Sequence, residues 1–317
     1  MNTNRRDFLA ATTAAIAGIA ATYATTGAAF GQTKIKIGFS QATMNHPWRV
    51  AMVEGTKKYV EANLPDVTLI VTDGQNDATK QVADVESLLV QGIAVLIICP
   101  LTEQALTPVV KEAMGRGIPV VTLDRKVNTE VTCHVGGENL PLGIGDAKFL
   151  AEKLPKGGNI IELSGTAGAS ATIDRHNGFR DEIAKHPGFK VVAEQNCDYT
   201  RDKAVKFMED MLQRFKPGDL QAVYAHNDEM ALGAIQVLEG AHRLQEVTVV
   251  GIDGQETAFE SIKAGKLAAT AIYPFCVPEG IQTAYKVARG EKVPKELVLL
   301  GAAVNASNID QYLGKGF

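Results

Sequence analysis

The sequence predicts an α/β protein made of two doubly wound lobes, each with a parallel β-sheet. Short apolar segments rich in β-branched residues alternate with stretches of helical periodicity from residue 34 onward. Repeated strand–helix units imply parallel sheets with helices on both faces. The strands fall into two groups of five, which favours two lobes over one oversized sheet, and no low-complexity linker separates the groups.

The individual elements follow from this alternation. The first group of strands is predicted at residues 34–40, 67–72, 94–99, 119–123 and 132–135, and the second group at 158–163, 189–193, 221–225, 247–252 and 268–272. Helices are predicted between the strands, at residues 50–63, 76–91, 103–116, 140–153, 174–185, 202–214, 228–239 and 256–264.

The composition is that of an ordinary globular protein. Of the 317 residues, 45% are hydrophobic and 21% charged, and the net charge is −4. This mild acidity argues against nucleic acid or an anionic membrane as the main partner. The cysteines form no C-x-x-C motif and no pairing with histidine at metal-ligand spacing. We therefore expect no metal, no cofactor, and buried free thiols at Cys99, Cys133, Cys197 and Cys276.

Residues 1–31 are predicted to be an export signal. A basic pair, Arg5 and Arg6, precedes a weakly apolar run at 8–24, which is too short and too rich in alanine for a membrane span. The residues around the pair resemble a twin-arginine signal, and an ordinary secretory signal is the alternative. Because no cysteine lies near the cleavage region, the mature protein is expected to begin near Gln32, free in the periplasm.

Polar residues follow nearly every predicted strand. The first group of strands leads into residues 43–49, 72–77, 99–100 and 123–126, and the second group into 164–175, 197–201, 225–229 and 251–255. Ligands of open parallel sheets bind beyond the carboxyl ends of the strands. The pattern therefore predicts a cleft in which these two edges face each other.

Charged residues at these strand ends suit a ligand with neighbouring hydroxyl groups. Asp124 and Asp253 come at matching positions of the two lobes, and Arg49, Arg125 and Arg175 are predicted to converge with them. A carboxylate accepts hydrogen bonds from hydroxyls, and an arginine donates them in a fixed plane. Such a site can reject analogues that lack one hydroxyl by several orders of magnitude.

Three further residues complete the predicted site. Asn227 can both donate and accept, while Trp48 and Tyr199 offer flat apolar surfaces to the C–H faces of a ring. Several of these positions also have a purely structural interpretation. The alternatives are a cap or surface pair at Asp124 and Arg125, a turn residue at Asp253 or His46, a helix cap at Asp228, which is the favoured interpretation there, and a packing residue at Trp48.

No catalytic motif accompanies these residues. The chain lacks a G-x-S-x-G elbow, and residues 165–170, "GTAGAS", lack both the G-x-G-x-x-G pattern and the lysine of a P-loop. An enzyme that used Asp124 or Asp253 as a general base would have neither a nucleophile nor a redox cofactor. We therefore expect a binding protein and not an enzyme.

Five segments spread over residues 34–300 carry a family resemblance: "FSQATMNHPWR", "PVVTLDR", "ELSGTAGASATIDRHNGF", "AHNDEMALGAIQ" and "GIDG…KAGKLAATAIYP". Together they resemble the periplasmic sugar-binding proteins of ABC importers, within which the ribose and galactofuranose types are most similar. The resemblance implies two lobes that close over a sugar and are joined by three hinge crossings, near residues 137, 273 and 302.

The resemblance also implies domain boundaries and binding residues. The first lobe would comprise residues 32–137 and 274–302, and the second lobe residues 138–273 and 303–317. The sugar-binding positions of the family fall here on Trp48, Arg49, Asp124, Arg125, Arg175, Tyr199, Asn227, Asp253 and, at a hinge, Tyr273.

The sequence departs from the ribose type at several of these positions. Trp48 and Arg49 stand where that type has two aromatic residues, Cys99 where it has asparagine, and Tyr273 where it has glutamine. The Trp-Arg pair is typical of the galactofuranose type, whereas "TMNHP" resembles the ribose type. A pentose or furanose sugar is the expected ligand, with an acidic sugar or a polyol as the alternative.

The resemblance implies a monomeric receptor that captures a monosaccharide and delivers it to the membrane permease of an ABC importer. A receptor that presents a sugar or an autoinducer to a chemoreceptor or sensor kinase is the main alternative, and a periplasmic sugar enzyme is another. Repressors of the lacI type share the two-lobed core, but they need an N-terminal DNA-binding segment of about sixty residues. The predicted export signal occupies that place here.

Overall fold

The computed structural model describes residues 34–317, and the predicted export signal lies outside them. Within this range the chain forms nine α-helices and twelve β-strands. None of these helices is long and apolar enough to cross a membrane. The strands form two six-stranded sheets, so the predicted α/β class with two lobes is confirmed.

The first lobe is built on the strands β1 (Ile35–Gln41), β2 (Val67–Asp73), β3 (Val95–Cys99), β4 (Val120–Leu123), β5 (Cys133–Gly136) and β11 (Glu296–Val298). They lie in the order β11-β5-β4-β3-β1-β2, and all of them pair in parallel. This sheet is covered by the helices α1 (Pro47–Asn63), α2 (Ala78–Val90), α3 (Glu103–Gly115) and α9 (Glu279–Ala288).

The second lobe is built on the strands β6 (Gly158–Ser164), β7 (Phe189–Asn196), β8 (Ala222–Ala225), β9 (Thr248–Asp253), β10 (Ala269–Ile272) and β12 (Ala303–Asn305). Their order is β12-β10-β9-β8-β6-β7, and β12 pairs antiparallel to β10 while the others are parallel. Its helices are α4 (Asn139–Lys153), α5 (Ser170–Ile183), α6 (Arg201–Arg214), α7 (Asp228–Gly240) and α8 (Glu256–Lys263).

Burial on both faces explains why the central strands are apolar throughout. All five residues of β3 are buried, and so are all four of β4 and of β8. A half-exposed strand would alternate apolar and polar side chains, whereas a parallel strand covered by helices on both sides does not. The uninterrupted apolar runs in the sequence therefore reflect the helical layers above and below each sheet.

The chain crosses between the two sheets three times, after β5, β10 and β11. The connecting residues are 137–138, 273–278 and 299–302. Three elements near the last two crossings, β11, β12 and α9, are absent from the sequence prediction. The two strands have only three residues each, which is too short for a periodic pattern. The domain boundaries implied by the resemblance stay predictions.

Two helices beside the cleft begin earlier than their periodicity predicts. Helix α1 begins at Pro47 and not at residue 50, and α5 begins at Ser170 and not at residue 174. Proline suits the first helical turn, because the N–H that it lacks would have no partner inside the helix there. The early starts place Trp48 and Ala171 in the first turns of their helices, at the edge of the cleft.

The predicted helix cap at Asp228 is wrong by one residue. Asn227 caps α7 instead, since its Oδ1 accepts a hydrogen bond of 3.0 Å from the backbone N–H three residues later. The buried carboxyl of Asp228 accepts hydrogen bonds from the backbone N–H groups of Gly254 and Gln255 and from the hydroxyl of Thr270. Either residue type can cap a helix. Here the side chain of Asp228 bonds to the turn that follows β9, and the cap is formed by Asn227.

Candidate functional site

The carboxyl ends of the two sheets enclose a small cavity of about 20 Å³, called here the ligand cavity. A space of this size holds about one water molecule, so the surrounding side chains nearly fill it. Seven of the nine predicted site residues line it, and Arg125 and Asn227 lie beside it. The lining residues are His46, Trp48, Arg49, Asp124, Ala171, Arg175, Tyr199, Asp253 and Tyr273.

The two lobes touch each other beside the ligand cavity, so the structure shows a closed arrangement. The backbone N–H of Glu103 in the first lobe donates to the carbonyl oxygen of Gly168 in the second, at 3.0 Å. The backbone N–H of Lys126 donates to the hydroxyl of Ser170, at 2.8 Å. These bonds hold the starts of α3 and α5 against the opposite lobe.

On the first lobe, Arg49 and Asp124 form a buried ion pair, with 2.6 Å between Nη2 and Oδ2. Burial alone raises the pKa of Asp124, but the charges of three nearby arginines outweigh it and lower the pKa to about 2. The thiol of Cys99 contacts both members of the pair. Burial raises the pKa of this thiol to about 11, so it is neutral at pH 7. All four cysteines are buried and unpaired, as expected.

Arg125 lies behind this pair with part of its guanidinium group unpaired. Its Nη1 donates to the backbone carbonyl of Leu101 at 2.9 Å, and its Nε lies 3.8 Å from the Asp124 carboxylate. Within the described residues, neither Nε nor Nη2 has a hydrogen-bond partner. The guanidinium lies 5.4 Å from the ring centre of Tyr199. This buried arginine therefore has N–H donors left for a further acceptor.

On the second lobe, neutral acceptors hold Arg175. Its Nε donates to the side-chain oxygen of Asn139 at 2.8 Å, and its Nη1 donates to the backbone carbonyl of His226. The amide nitrogen of Asn139 donates in turn to the hydroxyl of Tyr273, at 3.0 Å. Sequence reasoning missed Asn139, because an asparagine just after a strand gives no signal of what it bonds to.

Both site carboxylates sit in strained backbone. Asp124 has a φ of 60° and Asp253 a φ of 138°, which are values that residues with a side chain rarely adopt. Burial raises the pKa of Asp253 well above its ordinary value; Asp228 and Asp124 add to this, and Arg175 opposes it. The charge of Arg49 also opposes this shift. Such strain is common at ligand sites.

Trp48 and Tyr273 stack on each other at one end of the ligand cavity. Their ring centres are 5.5 Å apart, with 30° between the ring planes. The indole N–H of Trp48 donates to the backbone carbonyl of Tyr273, at 3.0 Å. Tyr273 belongs to the second crossing, so this contact joins α1 of the first lobe to a segment that connects the lobes.

Tyr199 reaches the ligand cavity from an unusual loop. Asp198 and Tyr199 both have a positive φ, of 51° and 63°. The ring packs over Gly165, where an added Cβ would lie only 2.0 Å from the Tyr199 Cζ. Asn227 helps to hold this loop, since its amide nitrogen donates to the carbonyl of Tyr199 at 3.1 Å. Both polar atoms of Asn227 are thus engaged within the protein, and its contact with a ligand stays a prediction.

His46 is a lining residue that the sequence interpretation treated as a turn residue. It occupies the position before α1 and is only 7% exposed, and neither ring nitrogen has a hydrogen-bond partner within the described residues. Burial, together with the charges of Arg49 and Arg125, lowers its pKa well below the usual value. The neutral ring therefore brings one donor and one acceptor to the ligand cavity.

Comparison with known proteins agrees with this geometry. The family model described as "Periplasmic binding protein domain" matches residues 37–292. The chain belongs to the periplasmic binding protein family. This membership fits the two α/β lobes, the three crossings and the cavity between the lobes.

Individual members of the family show which kinds of binding protein this periplasmic binding protein is similar to. The ribose import binding protein RbsB of Bacillus subtilis is 39% identical over 82% of this chain and 84% of its own. The galactofuranose-binding protein YtfQ of Escherichia coli is 32% identical over 84% and 86%. A solved structure, an ABC transporter solute binding protein from Mycobacterium smegmatis with bound glycerol, is 39% identical, with a TM-score of 0.84 over 89% and 98%.

Proposed function

We propose that this chain captures one small polyhydroxylated ligand, a pentose or furanose-type sugar, by closing its two lobes over it. The observation that carries the proposal is a set of buried, unpaired nitrogens on the first lobe, namely Nε of Arg49, Nε and Nη2 of Arg125 and both ring nitrogens of His46. A buried polar group without a partner costs about 1–3 kcal/mol. The oxygens of a sugar would satisfy these groups once closure has removed water.

The opposite wall supports the same ligand class. Asp253 offers a carboxylate to which two hydroxyls could donate, and Tyr199 and Tyr273 offer ring faces. The relatives named for ribose and galactofuranose, and the related structure with glycerol, all concern polyhydroxylated molecules. Because three arginines meet two aspartates here, an acidic sugar or a polyol is the second ligand to test.

We further infer that the closed protein delivers its ligand to the membrane permease of an ABC importer, as a monomer and without catalysing a reaction. The relatives named as import binding proteins support this role. Its route to the periplasm would be the signal in residues 1–31, with Arg5 and Arg6 as a twin-arginine pair. The lobe boundaries would lie at residues 137, 273 and 302, and the three crossings support these positions.

A fluorescence titration tests the proposal directly. Trp48 is the single tryptophan of the chain and lines the ligand cavity, so its emission reports on that site. The purified protein is titrated with aldopentoses, furanose-forming hexoses, polyols and sugar acids. We expect saturation with one or two related compounds and no response to the others.

Two matched variants decide where the ligand sits. Arg125→Lys keeps the charge but loses the fixed fork of donors, so the responding sugar should bind at least about tenfold more weakly. Arg116→Lys makes the same change on the exposed end of α3 and should bind as the parent does. If no compound changes the emission or the thermal stability, the proposed ligand class is wrong.

A further inference from the structure

A second cavity, of about 280 Å³, lies at the third crossing, outside the ligand cavity. We call it the crossing cavity. It is bounded by one side of α4, by β10 and β12, by the last residue of β11, Val298, and by residues 299–302, which connect the two lobes. Its walls share no residue with the ligand cavity. An occupant would therefore contact the second lobe and the connecting segment at once.

The walls of the crossing cavity are apolar and acidic. Leu142, Phe149 and Leu299 provide most of the large apolar side chains. Glu138 and Asp146 provide two carboxyl groups, and none of the described residues that line the cavity is a lysine, an arginine or a histidine. This combination favours a molecule with an apolar body and a positive charge.

Asp146 is the residue that needs an explanation. It is only 5% exposed, and its Oδ2 is fully buried without a hydrogen-bond partner within the described residues. Burial raises its pKa well above the usual value, and the negative charge of Asp228 adds to this effect. The charge of Arg175 opposes this shift, but its guanidinium already donates to Asn139 and to the carbonyl of His226. Buried polar groups in native proteins usually have a partner.

We propose that the crossing cavity binds a small organic ammonium, whose apolar body lies among Leu142, Phe149 and Leu299 and whose NH₃⁺ group pairs with Asp146. A cation fits better than a neutral alcohol, because it balances the charge of the two carboxyl groups, which an alcohol does not. Size allows it, since an apolar cavity of about 150 Å³ holds benzene and the crossing cavity is larger. The ammonium would stabilise the ionised form of Asp146.

Calorimetric titration of the full-length protein at pH 7.5 tests the proposal with three probes of one shape: benzylamine, benzyl alcohol and benzoate. We expect benzylamine to bind with a dissociation constant below about 1 mM, benzyl alcohol at least tenfold more weakly, and benzoate not at all. In Asp146→Asn, which keeps the shape of the side chain, benzylamine should lose its advantage over the alcohol. Equal affinities of amine and alcohol for the parent protein would overturn the proposal.

A second variant locates the amine without removing a charge. Gly145 lines the crossing cavity within α4, and an added Cβ there meets no atom within 4 Å. Gly145→Leu should therefore fold normally, and leucine favours a helix more than glycine does. Because Gly145 lines the cavity, the added side chain would take up part of it and should weaken benzylamine binding at least tenfold. If benzylamine binds this variant as it binds the parent, it sits elsewhere and the proposal is wrong. Neither readout requires a sugar.

Discussion

The two walls of the ligand cavity carry the same kinds of charged side chain but balance them differently. On the first lobe, Arg49 and Asp124 neutralise each other within the lobe, at 2.6 Å. On the second lobe, Arg175 donates to two uncharged oxygens, while Asp253 has a raised pKa and forms no ion pair within the described residues. On the first wall the cation and the carboxylate pair with each other when no ligand is present. On the second wall Arg175 and Asp253 do not pair with each other.

This difference assigns the two aspartates different tasks. Asp124 supports the folded protein whether or not a ligand is present, because its removal would leave the buried Arg49 without its partner. Asp253 gives little to the ligand-free protein, because burying a carboxyl without donors costs free energy. In the proposed function, ligand hydroxyls would donate to it and offset that cost. The same kind of substitution should therefore affect stability on one wall and affinity on the other.

The largest effect is expected from Asp124→Ala. Breaking a buried ion pair by removing one partner costs about 3–5 kcal/mol, so the free energy of unfolding should fall by that amount. The low pKa of Asp124 adds a pH signature. Its contribution is present above the unfolded value of 3.8 and is lost as the pH falls towards about 2. Urea unfolding at pH 7 and at pH 3 measures both effects.

The double variant Asp124→Ala/Arg49→Met controls for the loss of side-chain volume. It removes both charges, so it should regain much of the stability that the single variant loses. A single variant that unfolds within about 0.5 kcal/mol of the parent would mean that the ion pair does not support the fold.

The next effect is expected from Asp253→Asn, and it should appear in affinity. One charged hydrogen bond is worth about 1.5–3 kcal/mol, so the responding sugar should bind roughly 10- to 150-fold more weakly. The ligand-free protein should be no less stable. Since the pKa of Asp253 is raised in the folded state, ionisation costs stability as the pH rises above 3.8, and asparagine removes that cost. Calorimetry of binding and urea unfolding at pH 7 separate the two results.

A matched substitution on the surface serves as a control for the general effect of losing one negative charge. Asp310→Asn removes an exposed carboxylate that pairs with Lys263, and both affinity and stability should stay within about 0.5 kcal/mol of the parent. The comparison of the two walls would be wrong if Asp253→Asn destabilised the ligand-free protein as strongly as Asp124→Ala does.

Most of the fold could be predicted from the sequence because its pattern is local. The ten apolar strands and eight helices have a periodicity that neighbouring residues define, and their predicted positions lie within a few residues of those observed. β11 and β12 could not be found in this way. They are strands only because the chain crosses to the edge of a sheet that is formed by distant residues.

The same distinction between local patterns and distant contacts applies to the site. Residues such as Asp124 and Arg175 could be placed at strand ends by pattern and by resemblance. The sequence could not show that Asn139 joins Arg175 to Tyr273, or that His46 is buried without a partner. These facts depend on contacts between segments far apart in the chain. The interchange of Asn227 and Asp228 as helix cap was missed for the same reason.

Asn139→Ala should give a third, smaller effect on the second wall. The variant removes one acceptor from Arg175 and one donor from Tyr273. The bond to Tyr273 is neutral and worth about 1 kcal/mol, and the bond from the charged Arg175 is worth about 1.5–3 kcal/mol. Because these bonds position the site and do not touch the ligand, only part of this free energy should be lost from binding, and the sugar should bind about tenfold more weakly. Asn159→Ala, at the opposite end of β6, serves as control and should leave the affinity unchanged. Equal affinities for the two variants would exclude a positioning role for Asn139.

The smallest effect concerns pH and returns to the first wall. The pKa of His46 is lowered in the closed state, whereas solvent that reaches it in an open state would let it approach the usual value of about 6.5. Below that value the open form takes up a proton that the closed form excludes, so affinity should fall, by about fourfold at pH 6.0 relative to pH 8.0. In His46→Asn the affinity should not change over this range. If parent and variant weaken in parallel, a group other than His46 couples closure to pH.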